Sequence, residues 1–256
     1  MHPIAGGAAG RPFKTHHNEY NMDLFLRIAP ELYLKRLLVG GLERVFEINR
    51  SFRNEGVSIK HNPEFTMLEV YAAYANFESM MHLCESLIVS IAQEIFGTLE
   101  FIYQGKSLNF TPPWKRVSFA ELVKQKFGIE PQDSGELMLN KLQAAGFAKD
   151  KDKLSRTQIN KVIEETLEAD MSINPVFVTD YYTSLCPLAK TRADNPLISE
   201  RFELFIAGME VGNAYSELND PREQRRRFEE EIKELDPGDK KSVDNDYLLA
   251  LEHGMP

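Results

Sequence analysis

From Arg44 to Arg53 the chain alternates, with Arg44, Phe46, Ile48, Arg50 and Phe52 on one parity and Val45, Glu47, Asn49, Ser51 and Arg53 on the other. That period of two is what a strand requires, because its successive side chains point to opposite faces. A charged loop, Asn54 to Pro63, follows and is suited to hold an anion. The return run, Glu64 to Ala72, puts Phe65, Met67, Glu69 and Tyr71 on one face and Thr66, Leu68, Val70 and Ala72 on the other. The pattern predicts a hairpin over about 44–74. The first return face combines a ring, a thioether, a carboxylate and a phenol. A buried carboxylate costs several kcal/mol, by rough estimate, unless it meets a cation or strong donors. Glu69 therefore predicts a positive partner.

Elsewhere the period lengthens. DLFLRIAPELYLKRLL, from Asp23 to Leu38, predicts a short strand at Leu24 to Ile28 and then a helix opened by Pro30, with Tyr33, Leu34, Leu37 and Leu38 on its inner face. Glu31 stands where a carboxylate complements the positive end of the helix dipole. Asn76 to Phe96 carries Phe77, Met80, Met81, Cys84, Leu87, Ile88, Ile91, Ala92 and Ile95 at spacings of three and four, with Gly97 as the stop; this predicts a helix with those residues in a core. A small hairpin, Leu99 to Tyr103 and Ser107 to Phe110 about Gly105, precedes Pro112, Pro113 and a packing Trp114. Ser118 to Ala169 is helical and charged, with Ser118 as N-cap and breaks at 128–131 and Gly146. The cluster Lys149 to Lys153 reads as a solvated loop.

Strand character resumes at Pro175 to Tyr181 and continues through RFELFIAGMEVGNAYSELNDP. Here Glu203, Phe205 and Ala207 share a face, Gly208 and Gly212 bracket a turn or bulge, and Asn213, Tyr215 and Glu217 share the next face. The opening MHPIAGGAAGRPFKTHHN reads as a loop, and its adjacent His16 and His17 have no third ligand at usable spacing.

Composition narrows the classes. A chain of 256 residues buries a large core as one domain, or one domain with an insertion. The net charge of −9 argues against broad nucleic-acid binding, so any nucleic-acid contact is local or supplied by other segments. The two cysteines, Cys84 and Cys186, form no spacing motif and fit a reducing compartment. No apolar run nears the roughly 20 residues of a membrane span, so no membrane association and a cytoplasmic location are expected.

The strings FRNEG and HNPEF, followed by Glu69 and Tyr71, resemble motif 2 of the class II aminoacyl-tRNA synthetases. With APELYLKRL, GGLERVFEINR and NAYSELNDP in order, the wording is that of the lysyl-tRNA synthetase family. The resemblance implies an α+β fold, an antiparallel sheet flanked by helices with a helical insertion. It divides the chain into core residues 1–117, an insertion at 118–172 and core residues 173–256. It implies that Arg53 is catalytic, gripping the ATP α-phosphate and the attacking carboxylate, and that Glu55, His61, Asn62, Phe65 and Met67 join it at ATP, with Phe65 stacking on adenine. Gly7, Glu31, Arg53, Glu69, Tyr71, Asn213, Tyr215 and Glu217 would surround L-lysine, and Glu203 and Glu210 would hold Mg2+.

The implied partners are ATP, L-lysine and tRNA(Lys), with a homodimer in the family. By the same resemblance, motif 1, the anticodon-binding barrel and motif 3 fall outside this sequence, which leads to the expectation of a partial catalytic domain with weak adenylation. Two alternatives keep the same pocket: a synthetase-like paralogue that lysylates a protein, and a non-catalytic module that binds lysine or a nucleotide.

Overall fold

The computed structural model describes residues 1–4, 10–58, 60–148, 154–233 and 242–256. In chain order these form β1 (Lys14–His17), β2 (Met22–Phe25), α1 (Glu31–Val39), β3 (Arg44–Phe52), β4 (Glu64–Ala72), α2 (Phe77–Phe96), β5 (Glu100–Tyr103), β6 (Lys106–Asn109), β7 (Lys115–Ser118), α3 (Phe119–Phe127), α4 (Gly135–Ala144), α5 (Arg156–Glu168), β8 (Val176–Thr179), β9 (Arg201–Ile206), β10 (Met209–Tyr215), α6 (Pro221–Lys233) and α7 (Asn245–Glu252). They divide into two compact units, residues 1–74 with 219–256, and residues 75–218. No helix among the described residues is long and apolar enough to cross a membrane.

The first unit is built on the hairpin β3–β4, antiparallel over its whole length from Arg44 opposite Ala72 to Phe52 opposite Glu64. The segment read as an opening loop instead contains β1, which pairs with β2 from Lys14 opposite Phe25 to His17 opposite Met22. His16 lies on Asp23 at 2.8 Å, an ion-pair geometry that ties the two strands. In α1 the buried residues are Glu31, Leu32, Leu34, Lys35 and Leu38, whereas Tyr33 and Leu37 are exposed. The expected inner face is thus rotated, because Glu31 and Lys35, one turn apart, satisfy each other and go inside together. The run from Asp244 forms α7, whose cap Asp244 accepts from the Tyr247 N–H at 2.9 Å and from the Arg36 guanidinium at 2.9 Å.

In the second unit, β7 to β10 form a sheet in the order β10-β9-β8-β7, antiparallel except for the parallel pair β7–β8. Adjacent parallel strands need a long crossover, and the three helices α3 to α5 supply it. Strand alternation then makes two cores. Val176, Val178 and Phe205 pack with Phe119, Val123, Met138, Leu142, Ile159 and Ile163 of the helices, and Phe177, Phe202 and Leu204 pack with Met81 and Trp114.

The helix α2 begins at Asn76, whose side chain accepts from the Ser79 N–H, and ends at Gly97 in the left-handed region, φ 68°. Of its apolar stripe only Met81 and Ala92 are buried, and Leu87, Ile91 and Ile95 stand exposed. The hairpin β5–β6 forms as its pattern predicts. The cluster Lys149 to Lys153 lies outside the described residues.

Candidate active site

On β3–β4 the register is one to one: Val45 faces Tyr71, Glu47 faces Glu69, Asn49 faces Met67 and Ser51 faces Phe65. Directly opposed residues share a face, so the return quartet gains Glu47, Asn49 and Ser51 as companions. Asn49 and Ser51 are buried, and the Ser51 hydroxyl donates to Asn49 Oδ1 at 2.8 Å. The other face carries Phe46, Ile48, Leu68 and Val70, all exposed.

Arg53 leaves the end of β3 with its N–H donating to the Pro63 carbonyl at 2.8 Å, which closes the loop. Its guanidinium lies 5.1 Å from the centre of the Phe65 ring, and Nε donates to the Ile28 carbonyl at 3.4 Å. Gly10 passes beside it; a Cβ there would stand 2.9 Å from Arg53 Cδ, so this close approach requires glycine. In the loop, Glu55 Oε1 accepts from the Arg11 N–H at 3.3 Å, and His61 Nδ1 lies 2.9 Å from Ser58 Oγ. Asn62 is exposed, and Met67 is half-buried opposite Asn49. Gly7 lies outside the described residues.

The carboxylates of this unit are unequal. Glu31 Oε1 accepts from the wholly buried Lys35 ammonium at 2.6 Å. Glu47 takes the Arg27 guanidinium. Glu69 Oε2 accepts from the Tyr71 hydroxyl at 2.8 Å. Arg27 is thus bonded to the cross-strand neighbour Glu47, while Glu69 bonds a phenol and feels the Lys35 ammonium through space. Burial pushes the Glu69 carboxyl up to about 7; the Tyr71 hydroxyl and the Lys35 ammonium oppose this, and the negative charges of Glu31 and Glu47 reinforce it. Such a carboxyl holds its proton into the neutral range.

The second unit carries the other predicted residues. Glu203, in the middle of β9, is buried opposite Asn213; its Oε2 accepts from the Tyr181 hydroxyl at 2.6 Å and its Oε1 from Arg201. Burial raises the Glu203 carboxyl, and the Arg201 guanidinium opposes the rise. Glu210 sits on β10 where a bulge between Glu210 and Gly212 shifts the register, and Asn213 Nδ2 donates to Glu210 Oε1 at 2.7 Å. The turn before it uses Ala207 and Gly208, both at positive φ, 54° and 73°. Tyr215 packs against the helix-side core, and Glu217 bridges to Ala189. The α5 residue Glu164 faces this group electrostatically: burial lifts its carboxyl to about 7, and the charge of Glu203 adds to the rise.

Glu203 and Glu210 suit Mg2+ as a donor set, since both offer hard oxygen and both are oriented by hydrogen bonds within the chain. Among the described residues no group of three or more His, Cys, Asp or Glu forms a metal cage. Two carboxylates completed by phosphate oxygens and water are the arrangement Mg2+ accepts.

Sequence reasoning did not single out Lys35, Arg27, Tyr181 or Arg201. The spacing of Glu31 and Lys35, four apart on one helix, was the available signal for the first. The others act through tertiary contacts that no local pattern records.

An arginine over an aromatic ring at the end of the β3–β4 hairpin, acidic side chains on both strands of that hairpin, and a separate pair of glutamates oriented by hydrogen bonds make up the candidate site. The family model of the class II tRNA synthetases (D, K and N) matches residues 1–256, and the chain belongs to that family. Among curated proteins it is 50% identical over 262 aligned residues to the lysine–tRNA ligase of Pelotomaculum thermopropionicum, covering 100% of this chain and 52% of that protein. It is 49% identical to the lysine–tRNA ligase of Moorella thermoacetica over 264 aligned residues, covering 100% of this chain and 53% of that protein. The lysine–tRNA ligase of Thermotoga maritima is 46% identical over 259, covering 100% of this chain and 51% of that protein. The chain spans about half the length of these relatives.

Proposed function

We propose that this chain carries the amino-acid-activating chemistry of a cytoplasmic lysine–tRNA ligase. Support comes from the family match, from relatives named for that activity, and above all from one observation. Arg53, Phe65, Glu69 and Tyr71 are assembled by a single hairpin whose one-to-one register puts the last three on one face. We assign residues 118–172 to a helical insertion and residues 1–117 and 173–256 to the catalytic core.

The carboxylate of free lysine is ionised at neutral pH and needs no general base. One of its oxygens bonds to the α-phosphorus of ATP as the bond from that phosphorus to the β-phosphate oxygen breaks, giving lysyl-adenylate and pyrophosphate. A ribose hydroxyl at the end of tRNA(Lys) then attacks the adenylate carbonyl, and AMP leaves. The chain's contribution to the first step is alignment and charge compensation. Arg53 offers a planar, permanently charged fork to phosphate and carboxylate together. Phe65 gives adenine a stacking face, with Glu55, His61, Asn62 and Met67 around the nucleotide. Glu31, Glu69 and Gly7 take the α-amino side of lysine, Asn213 its carboxylate, and Tyr71, Tyr215 and Glu217 its far end. An acidic group buried at that end rejects side chains lacking a cation, whose binding would leave it unpaired. Glu203 and Glu210 would hold Mg2+, which neutralises phosphate charge when bound.

Lysine-dependent exchange of labelled pyrophosphate into ATP tests the reading. The protein should show exchange with lysine, and Arg53→Ala should lower it by about a thousandfold, the loss typical of a removed transition-state donor. Exchange that is equal in the two proteins, or that does not depend on lysine, would overturn it.

A further inference from the structure

Glu203 is held by the side on which the helices α3 to α5 pack. Its neighbours on that face of the sheet, Val178 and Phe205, belong to the helix-side core. Tyr181, two residues past the end of β8, brings its hydroxyl to Glu203 Oε2 at 2.6 Å, while Arg201 takes Oε1. The tyrosine is itself clamped. Its ring stacks on Phe119, the first residue of α3, with centroids 4.5 Å apart and planes 19° from parallel, and the Arg201 guanidinium lies 4.9 Å over it. Its carbonyl accepts from the Ser199 N–H at 2.8 Å and from the Ser199 hydroxyl at 3.0 Å. Asp180, immediately before it, takes a left-handed backbone, φ 58°, and is fixed by Arg192 at 3.0 Å. A phenol this immobile gives its hydroxyl one direction.

An ionised carboxylate has about four acceptor positions on its two oxygens. One donor on each oxygen fixes the plane of Glu203 and leaves each oxygen a further lone pair. Donors arranged in this way are how proteins orient ligating carboxylates, and their loss typically costs about 10–100-fold in metal affinity. Simple packing would need only the ring of Tyr181, since Phe119 and Arg201 touch the ring and not the hydroxyl.

We propose that Tyr181 is a positioning residue for the metal–nucleotide complex, its hydroxyl orienting Glu203 toward a divalent cation, so that the helical insertion braces the cation site through Phe119. This rests on the reading of Glu203 as a metal ligand given above.

The test is Mn2+ binding in the presence of ATP and the absence of lysine, followed by electron paramagnetic resonance of free Mn2+. Four proteins are compared: the parent, Tyr181→Phe, Glu203→Gln and the double variant. Tyr181→Phe keeps the ring and both ring contacts, so the chain should stay folded, its thermal unfolding lowered only by the loss of one buried hydrogen bond. Its Mn2+ affinity should fall about 10-fold or more, and lysine affinity measured by calorimetry without nucleotide should not change. In the double variant the tyrosine change should add nothing beyond Glu203→Gln. Parent-like affinity in Tyr181→Phe, with loss in Glu203→Gln, overturns the positioning role alone. Parent-like affinity in Glu203→Gln overturns the ligand reading beneath it. A tyrosine effect that persists in full in the Glu203→Gln background shows that the hydroxyl acts elsewhere, and overturns the proposal.

Discussion

Glu69 and Glu31 show how one residue type is given two chemistries. Glu31 is neutralised by Lys35 of its own helix, whereas Glu69 has a phenol for its donor and a carboxyl raised to about 7. A substrate ammonium placed on Glu69 favours its ionised form and lowers its pKa in the complex. Lysine binding near pH 6.5 should therefore release part of a proton, and affinity should rise with pH until it levels above about 8. Calorimetry in buffers of different ionisation enthalpy reads that proton directly. In Glu69→Gln the release should vanish and affinity should fall about tenfold or more, as for a lost charge-assisted contact. An unchanged proton count in the variant would remove Glu69 from the lysine site. The chemistry of this face was legible in the sequence, since alternation alone groups Phe65, Met67, Glu69 and Tyr71. The partner of Glu69 was not, because choosing between Glu47 and Glu69 for Arg27 depends on where α1 and its preceding segment lie, which periodicity does not encode.

Helices and strands were read best where a cap or a strict period marked them. Asn76 and Gly97 bound α2, Ser118 caps α3, and the two hairpins follow their patterns. β1 was missed because a four-residue strand in a segment of small residues has too few alternations to register, and it forms by pairing with β2. The parallel pair β7–β8 was hidden for a related reason: pairing direction is decided by what the crossover helices pack on. The helix α5 offers a test of that packing. Glu164, raised to about 7 mainly by burial, holds its proton more tightly in the folded chain than in the unfolded one. Between about pH 4.5 and 7 the folded state then binds the extra proton, and stability falls as pH rises through this window. Glu164→Gln should flatten that fall and leave the chain more stable at pH 8 by on the order of 2 kcal/mol, in urea titrations at pH 5 and pH 8. Equal pH dependence in the two proteins would mean that α5 does not bury Glu164.

Among the large apolar side chains left on the surface are two groups that each share one face, Phe46, Ile48, Leu68 and Val70 on β3–β4 and Leu87, Ile91 and Ile95 on α2. Periodicity marked these as strand and helix faces, but whether a face is covered is a property of the whole assembly. Apolar area of this kind drives association. The chain studied alone should sediment with a mass that grows with concentration and should bind an apolar dye. Phe46→Thr with Ile48→Thr, β-formers that keep the strand, should reduce both signals. A monomeric parent with no dye signal would contradict this.

The unbroken pairing of β3 with β4 also constrains how this protein can change over time. With every position matched from Arg44–Ala72 to Phe52–Glu64, adding or losing one residue within β4 would exchange the two faces beyond that point and put Thr66, Leu68, Val70 and Ala72 where Phe65, Met67, Glu69 and Tyr71 now stand. Variation on this face therefore proceeds most readily by substitution, whereas changes of length fit the connection 54–63, where they alter reach without scrambling the alphabet the strands present.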